Sequence, residues 1–439
     1  MTTQADQVDS LLLLARKHFE AKTLATAEEA YRRLLDIEPG HIEAANFCAV
    51  RALSAGLPGE AIRILHAALL VDPHAYATRQ HMGIALQIAG DHEAASRWLG
   101  DLLHDQPALY LARFHLGAAL EARGHFQEAV AAYFGAINAA QRQGRWLSPD
   151  AIPMSLREQV LHAMGVVNKG RLGYFNSLME PLKERFGSQA LSRVQTALEC
   201  YLGDRDTVYA DVDQRPTFLY FPGLSTRAVH PSDTFPWVDE LQSKTSEIRG
   251  ELQAILAQPD GVRPFNSYRS EEEEARYLKG NVGSPKWNAF FLYRHGQIDA
   301  DNAARCPFTV QALERLPLVK IRAHAPEVCF SMLTSGTHIL KHRGVTNTRL
   351  VAHLPLIVPE GNCALRVADQ SYQWHEGKVF IFDDCFEHEA WNRTPSMRAI
   401  LLLDFWHPGL TECERLAVSE LVAGIGDFNA SAGMPTESN

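Results

Sequence analysis

The chain has 439 residues, of which 46% are hydrophobic and 21% are charged, and its formal net charge is -10. This length exceeds one ordinary hydrophobic core, so we expect more than one domain. The acidic balance argues against general nucleic-acid binding, because a phosphate backbone requires a basic face. No segment approaches the roughly 20 apolar residues of a membrane-spanning helix, so no membrane span is predicted.

The start of the chain and the cysteines indicate in which cellular compartment the protein is located. The first 20 residues lack the basic segment and the small-residue cleavage site of a secretory signal. The seven cysteines are scattered and form no CxxC motif, a pattern typical of a reducing environment. We therefore predict a cytoplasmic protein.

A repeat of 34 residues occupies the first third of the chain. The recurring positions are Ala27, Ala61, Ala95 and Ala129; Pro39, Pro73 and Pro107; Gly56, Gly90 and Gly124; and Gly83 and Gly117. Small residues let two helices approach closely, Gly90 turns the chain between them, and Pro107 ends the second helix. The repeat thus predicts stacked helix pairs over residues 8–141.

These units resemble the tetratricopeptide repeat (TPR), most clearly in GIALQIAGDHEAASRWLGDLLHDQP and GAALEARGHFQEAVAAYFGAI. The resemblance implies an all-α solenoid whose concave groove binds a peptide or a partner protein. Alternatively, the stack only supports the neighbouring domain or a dimer. The period is lost over residues 142–205, where helical patterning persists, and we predict a helical cap or linker there.

Aromatic, proline-punctuated segments follow, and they predict a mixed α+β domain over 206–428, with a disordered tail at 429–439. Apolar residues alternate in 350–357, 378–382 and 397–405, which predicts strands. Helices are predicted near 244–257 and after Pro307. His342 and His388 lie at strand ends, 46 positions apart. This layout indicates an antiparallel barrel or double sheet whose open mouth could hold a metal.

Several runs resemble the aspartyl/asparaginyl β-hydroxylases, a family of Fe(II)- and 2-oxoglutarate-dependent dioxygenases. They are WNAFFLYRHG, CPFTVQAL, GTHILKHRGVTNTRLVAHLPLIVP, EGKVFIFDDCFEHEAWN and MRAILLLDFWHP, spread over residues 280–410. The resemblance implies a double-stranded β-helix of the jelly-roll or cupin type. It also implies Fe(II) as the cofactor, with 2-oxoglutarate and O2 as co-substrates.

The same resemblance assigns His342 and His388 as the iron ligands, and imidazole suits Fe(II). Most iron and 2-oxoglutarate enzymes carry a carboxylate two residues after the first ligand. Gly344 stands there in this chain, and the family works with two histidines only. From the residues alone, Asp384 or Glu387 is a possible third ligand; the simpler interpretation is that both cap turns or orient neighbouring groups.

For the co-substrate, the resemblance assigns Arg398 to the far carboxylate, with Ser331 as its hydroxyl partner, and His353 to the metal-bound end. Arg349 corresponds to a residue that contacts an acidic substrate. Val351 stands where some family members have an arginine, so Arg349 is also a possible substitute for it. A purely structural alternative pairs Arg398 with an aspartate, either Asp383 or Asp404.

We expect hydroxylation of the β-carbon of an Asp or Asn residue in a peptide or protein, with the TPR region recruiting that substrate or a partner. One alternative is hydroxylation of a non-peptide substrate, either a lipid acyl chain or a small metabolite. The other is a TPR scaffold with a catalytically inactive barrel.

Overall fold

A computed structural model describes residues 4–268, 270–280 and 286–434. The described residues divide into two compact units. One contains the chain through Tyr174 together with the residues from Asp427 onward, and the other contains Phe175–Gly426. Among the described helices, none has both the length and the apolar character that a membrane crossing requires.

The first unit is built from helix pairs, as the repeat predicts. Its helices are α1 (Gln4–Glu20), α2 (Leu24–Ile37), α3 (Ile42–Ser54), α4 (Pro58–Val71), α5 (Tyr76–Ile88), α6 (His92–Asp105), α7 (Tyr110–Ala122) and α8 (Phe126–Arg142). The repeated alanines all lie fully buried in the second helix of their pair. The predicted all-α repeat fold is therefore confirmed.

Two glycines show why the repeat needs small residues. Gly90 turns the chain between α5 and α6 with φ +87°, a left-handed conformation that favours glycine. Gly117 lies where α7 crosses α8, and a Cβ built on it would be 2.6 Å from the ring of Tyr133. Close helix packing thus excludes a side chain at Gly117.

Polar side chains connect the first helices of successive pairs. Asn46 donates from Nδ2 to Oγ1 of Thr78 at 3.0 Å, and its Oδ1 lies 3.0 Å from Nδ1 of His81. His115 Nδ1 lies 2.9 Å from Oε1 of Gln87. These contacts join α3 to α5 and α5 to α7.

The chain continues through a short 3-10 turn at Pro149–Ala151 and the long helix α9 (Arg157–Phe186). The helices that follow are α10 (Ser192–Leu202), α11 (Val238–Ser243), α12 (Thr245–Ala257), α13 (Glu271–Glu274), α14 (Ala300–Ala304), α15 (Pro307–Leu313) and α16 (Glu412–Ser431). The predicted start of the tail at 429 falls within α16. Phe428, at its end, packs against Phe134, and residues 435–439 lie outside the described residues.

The second unit contains two antiparallel sheets. Their strands are β1 (Val229–His230), β2 (Arg263–Pro264), β3 (Leu278–Lys279), β4 (Trp287–Arg294), β5 (Gln297–Ile298), β6 (Val328–Leu333), β7 (His338–His342), β8 (Arg349–Ile357), β9 (Cys363–Val367), β10 (Gln370–Tyr372), β11 (Phe380–Phe382), β12 (His388–Asn392) and β13 (Arg398–Trp406). The larger sheet has the order β1-β11-β8-β13-β6-β4-β2, with β5 paired to β4, and the smaller has the order β10-β9-β12-β7-β3. The predicted jelly-roll-like fold is confirmed.

Strand β8 shows how alternation orients the two layers. Leu350, Ala352 and Leu354 belong to the core that the larger sheet shares with its helices. Val351 belongs to the core between the sheets, together with Phe382. Because side chains alternate across a strand, His353 points the same way as Val351. The same rule places Arg398 and Leu402 of β13 on one face.

Candidate active site

His342 and His388 lie next to each other on neighbouring strands of the smaller sheet. His342 ends β7, His388 begins β12, and the antiparallel register pairs the two residues directly. Their ring centroids are 4.1 Å apart, with an interplanar angle of 54°. The two histidines singled out by the sequence therefore converge on one place.

Backbone carbonyls fix the protonation of both rings. His342 Nδ1 lies 2.7 Å from the carbonyl oxygen of Leu340, and His388 Nδ1 lies 3.0 Å from that of Phe386. Because a carbonyl only accepts, each Nδ1 carries the proton, and each Nε2 keeps a lone pair. Burial lowers the pKa of His342, and burial together with His342 lowers the pKa of His388 to about 3. Both imidazoles are thus neutral at neutral pH.

A carboxylate lies beside this pair although Gly344 provides none. A Cβ built on Gly344 would lie 2.1 Å from Cγ of Asp384, so the Asp384 side chain occupies that space. The Gly344 amide donates to the Asp384 carbonyl oxygen at 2.6 Å. Glu387, the other candidate third ligand, instead lies 2.8 Å from Lys341 in an exposed ion pair.

Arg349 is held by two aspartates. It forms ion pairs with Asp384 at 3.3 Å and with Asp404, whose side chain is 1% exposed. Burial opposes a charged guanidinium, but the charges of Asp384 and Asp404 raise the pKa of Arg349. The contact of Arg349 with an acidic substrate stays a prediction, and in this structure its guanidinium is engaged within the protein.

Arg398 is a buried cation. The residue is 2% exposed, and its Nη1 donates to the carbonyl oxygen of Ser331 at 3.2 Å and to Oγ of Ser331 at 3.4 Å. Its Nε has no hydrogen-bond partner among the described residues. Burial lowers the pKa of Arg398 to about 10. Neither alternative pairing occurs among the described residues: Asp404 is paired with Arg349, and Asp383 accepts from Gln214.

His353 lies between the cation and the histidine pair. It contacts Phe382 with ring centroids 5.1 Å apart, and Phe382 contacts His388 at 5.4 Å. Burial, Arg398 and His388 lower the pKa of His353 well below its usual value. His353 is therefore linked to His388 through Phe382.

Trp374 is a site residue that the sequence analysis missed. The guanidinium carbon of Arg398 lies 4.6 Å from its ring centroid, and its indole N–H donates to His353 Nδ1 at 3.3 Å. Trp374 lies outside every predicted strand, so no alternation pointed to it. It also lines a cavity of about 700 Å³ with Cys363, His375 and neighbouring residues of the loops 358–363 and 373–376.

The site combines two chemical capacities. Two neutral imidazoles, each with a lone pair on Nε2, are suited to a divalent transition metal. A buried guanidinium that has no carboxylate partner in the described part of the chain is suited to an anionic ligand. The residues present thus fit a metal and a carboxylate-bearing molecule held between the two sheets.

The aspartyl/asparaginyl beta-hydroxylase family model matches residues 242–408, which include every one of these site residues. The second unit therefore has a jelly-roll-like fold and carries a segment that a hydroxylase family model matches. More particularly, the second unit holds a domain of the aspartyl/asparaginyl β-hydroxylase family.

Curated relatives agree on hydroxylation. An ornithine lipid ester-linked acyl 2-hydroxylase of Rhizobium tropici is 35% identical over 192 residues, 43% of this chain and 64% of the relative. The human aspartyl/asparaginyl beta-hydroxylase is 35% identical over 178 residues, 40% of this chain and 22% of the relative. Aspartate beta-hydroxylase domain-containing protein 2 of Xenopus tropicalis is 28% identical over 256 residues, 57% of this chain and 65% of the relative. The chain thus spans less than two thirds of the length of each.

Proposed function

We propose that this protein is an Fe(II)- and 2-oxoglutarate-dependent dioxygenase that hydroxylates an unactivated carbon. The observation that carries the proposal is the facing pair His342 and His388, with both Nδ1 atoms donating to carbonyls. When bound, iron and its co-substrates supply oxygen activation coupled to oxidative decarboxylation of 2-oxoglutarate to succinate and CO2.

The chain's own residues would hold those components. His342 and His388 would bind Fe(II) through Nε2. Arg398, assisted by Ser331, would bind the far carboxylate of 2-oxoglutarate, and His353 would contact the end nearer the metal. Support comes from the buried Arg398 guanidinium, whose Nε has no partner among the described residues. Burying such a cation costs free energy unless an anion pairs with it.

The first candidate substrate is an Asp or Asn residue in a peptide or protein, hydroxylated at its β-carbon. The family of the domain and the human relative support this candidate. The helical repeats would recruit the substrate or a partner protein through their concave groove, as TPR solenoids do.

A second candidate is an acyl chain or another uncharged substrate. Arg349, the predicted receptor for an acidic side chain, is occupied by Asp384 and Asp404, and Val351 adds an apolar side chain beside it. The Rhizobium tropici relative is an acyl hydroxylase. Both observations favour a substrate that needs no cation.

Succinate formation tests the proposal. The full chain is loaded with Fe(II) under anaerobic conditions, given 2-oxoglutarate and O2, and assayed with Asp- or Asn-containing peptides and with ester-linked acyl lipids. We expect His342→Ala to lower succinate formation at least a hundredfold. His338→Ala is the matched control, because His338 lies on the same strand but pairs with Glu389 at 2.8 Å.

Equal activity of wild type and His342→Ala, with no iron bound by either, would overturn the proposal and favour the scaffold alternative. If activity depends on His342, the assays with peptides and with lipids decide between the two candidate substrates. Peptide-dependent succinate supports the first, and lipid-dependent succinate supports the second.

A further inference from the structure

Trp374 fixes the tautomer of His353. An indole N–H can only donate, so His353 Nδ1, 3.3 Å from Trp374 Nε1, must accept. A neutral imidazole that accepts at Nδ1 carries its proton on Nε2. His353 therefore has the opposite tautomer to His342 and His388, whose Nδ1 atoms donate to carbonyls. At Nε2, His342 and His388 therefore each present a lone pair, whereas His353 presents an N–H.

The same indole supports Arg398. The guanidinium carbon lies 4.6 Å from the centre of the Trp374 ring, within the range of a cation–π interaction. Ser331 contacts the guanidinium through Nη1. Trp374 is itself 5% exposed, and Arg398 is 2% exposed, so the contact is shielded from water. One buried side chain thus touches both groups that the proposed function assigns to the co-substrate.

We propose that Trp374 is a positioning residue for a dicarboxylate co-substrate: it keeps the His353 proton on Nε2 and orients the Arg398 guanidinium. This inference rests on the proposed function. It adds to the site a residue that contacts neither the metal nor the co-substrate. Because a carboxylate only accepts, the Nε2–H tautomer of His353 attracts it, whereas an Nε2 lone pair repels it. Burial keeps His353 neutral, so its tautomer decides which of these two interactions occurs.

The test removes the N–H while keeping the ring. Trp374 is replaced in the full chain by 3-benzothienylalanine, which has similar size and shape but sulfur in place of the indole N–H. Trp374→Phe is the genetically simpler second variant. The ¹⁵N chemical shifts of the His353 ring nitrogens report the tautomer directly, without metal or co-substrate. Calorimetry with Fe(II)-loaded protein and 2-oxoglutarate, under anaerobic conditions, reports the affinity.

We expect the Nε2–H population of His353 to fall in both variants. We expect the Kd for 2-oxoglutarate to rise about two- to tenfold, the equivalent of one hydrogen bond. The KM for 2-oxoglutarate should rise in parallel, with kcat little changed. A further loss should be absent when 3-benzothienylalanine replaces Trp374 in a His353→Gln chain, because the ring beside Arg398 is kept and a glutamine amide needs no tautomer. Trp391→Phe is the control, since the Trp391 indole donates to Asn362 at 2.6 Å and contacts neither group.

An unchanged His353 tautomer, or a changed tautomer with unchanged 2-oxoglutarate affinity, overturns the inference. An equal loss on 3-benzothienylalanine replacement in the wild-type and His353→Gln backgrounds also overturns it, because the loss of affinity would then not depend on His353. Failure of the proposed function gives a different result: the wild type itself would not bind 2-oxoglutarate.

Discussion

The carboxylate of Asp384 occupies the space that a side chain at Gly344 would need. A Cβ at Gly344 would lie 2.1 Å from Cγ and from Oδ1 of Asp384, far inside the contact distance of those atoms. Since Asp384 is also paired with Arg349, it cannot move without breaking an ion pair. The glycine and the aspartate are therefore mutually dependent, although 40 positions separate them in the sequence.

Gly344→Ala should consequently destabilise the second unit. We expect a loss of about 1–3 kcal/mol, the usual cost of inserting a methyl group into a filled space. Chemical denaturation measures it. Gly250→Ala is the control, because Gly250 lies in α12 with nothing within 4 Å of its Cβ, and alanine there should stabilise the helix by up to about 1 kcal/mol. Equal stability of the two variants would contradict the dependence.

Arg349→Met should destabilise the fold, because it leaves Asp384 and Asp404 buried without their cation. We expect about 3–5 kcal/mol, as for other broken buried pairs. Arg315→Met serves as the control: Arg315 pairs with Glu240 at an exposed position, and its loss should cost less than about 1 kcal/mol. If Arg349→Met folds with wild-type stability but loses affinity for an acidic substrate, the role in substrate binding is supported instead.

Arg398→Met should separate stability from function. Without ligand, the variant is expected to be more stable than wild type by about 1–4 kcal/mol, since it removes a buried cation that no carboxylate neutralises among the described residues. Added 2-oxoglutarate should raise the Tm of Fe(II)-loaded wild type but not of the variant. Thermal denaturation with and without the co-substrate checks both statements. A less stable variant would show that Arg398 is primarily structural.

Acid should weaken the helical repeats through His115. Burial lowers the pKa of His115 to about 4, against about 6.5 in an unfolded chain. The folded state therefore binds fewer protons between these values, so stability is lost as the pH falls from about 6.5 to about 4. The full effect is on the order of 3 kcal/mol.

Hydrogen exchange of the α7 amides in the full chain, measured from pH 7 to pH 4.5, tests this titration. His115→Gln should flatten the pH dependence of protection, because glutamine does not titrate. His104→Gln changes an exposed histidine of α6 and should keep the wild-type slope. An unchanged slope in His115→Gln would exclude His115 as the source.

The sequence predicted the features that depend on period. A 34-residue recurrence predicted the helix pairs, because each buried alanine must return to the same packing position. Alternation predicted β8 and β13 to within one residue at each end, since both strands are buried on two faces between layers. His342 and His388 were also predicted to lie at strand ends, and they lie at the end of β7 and the start of β12.

Contacts between distant segments could not be predicted in this way. The Asp384 side chain beside Gly344 depends on the pairing of separate loops, and the Trp374 ring on Arg398 depends on a loop with no period. Arg349 was predicted to be available because nothing local shows that Asp404 pairs with it. The packing of segments that are distant in the sequence, not residue type, determines these three contacts.

The Nε2 lone pairs of His342 and His388 have a practical consequence under the proposed function. Neutral imidazoles bind nickel or copper more tightly than ferrous iron, so an affinity resin charged with nickel would load the protein with an inert ion. Protein prepared that way would be correctly folded but would show no activity. The metal in the site would then be the one present during purification. An activity assay therefore needs a chelator treatment before iron is added.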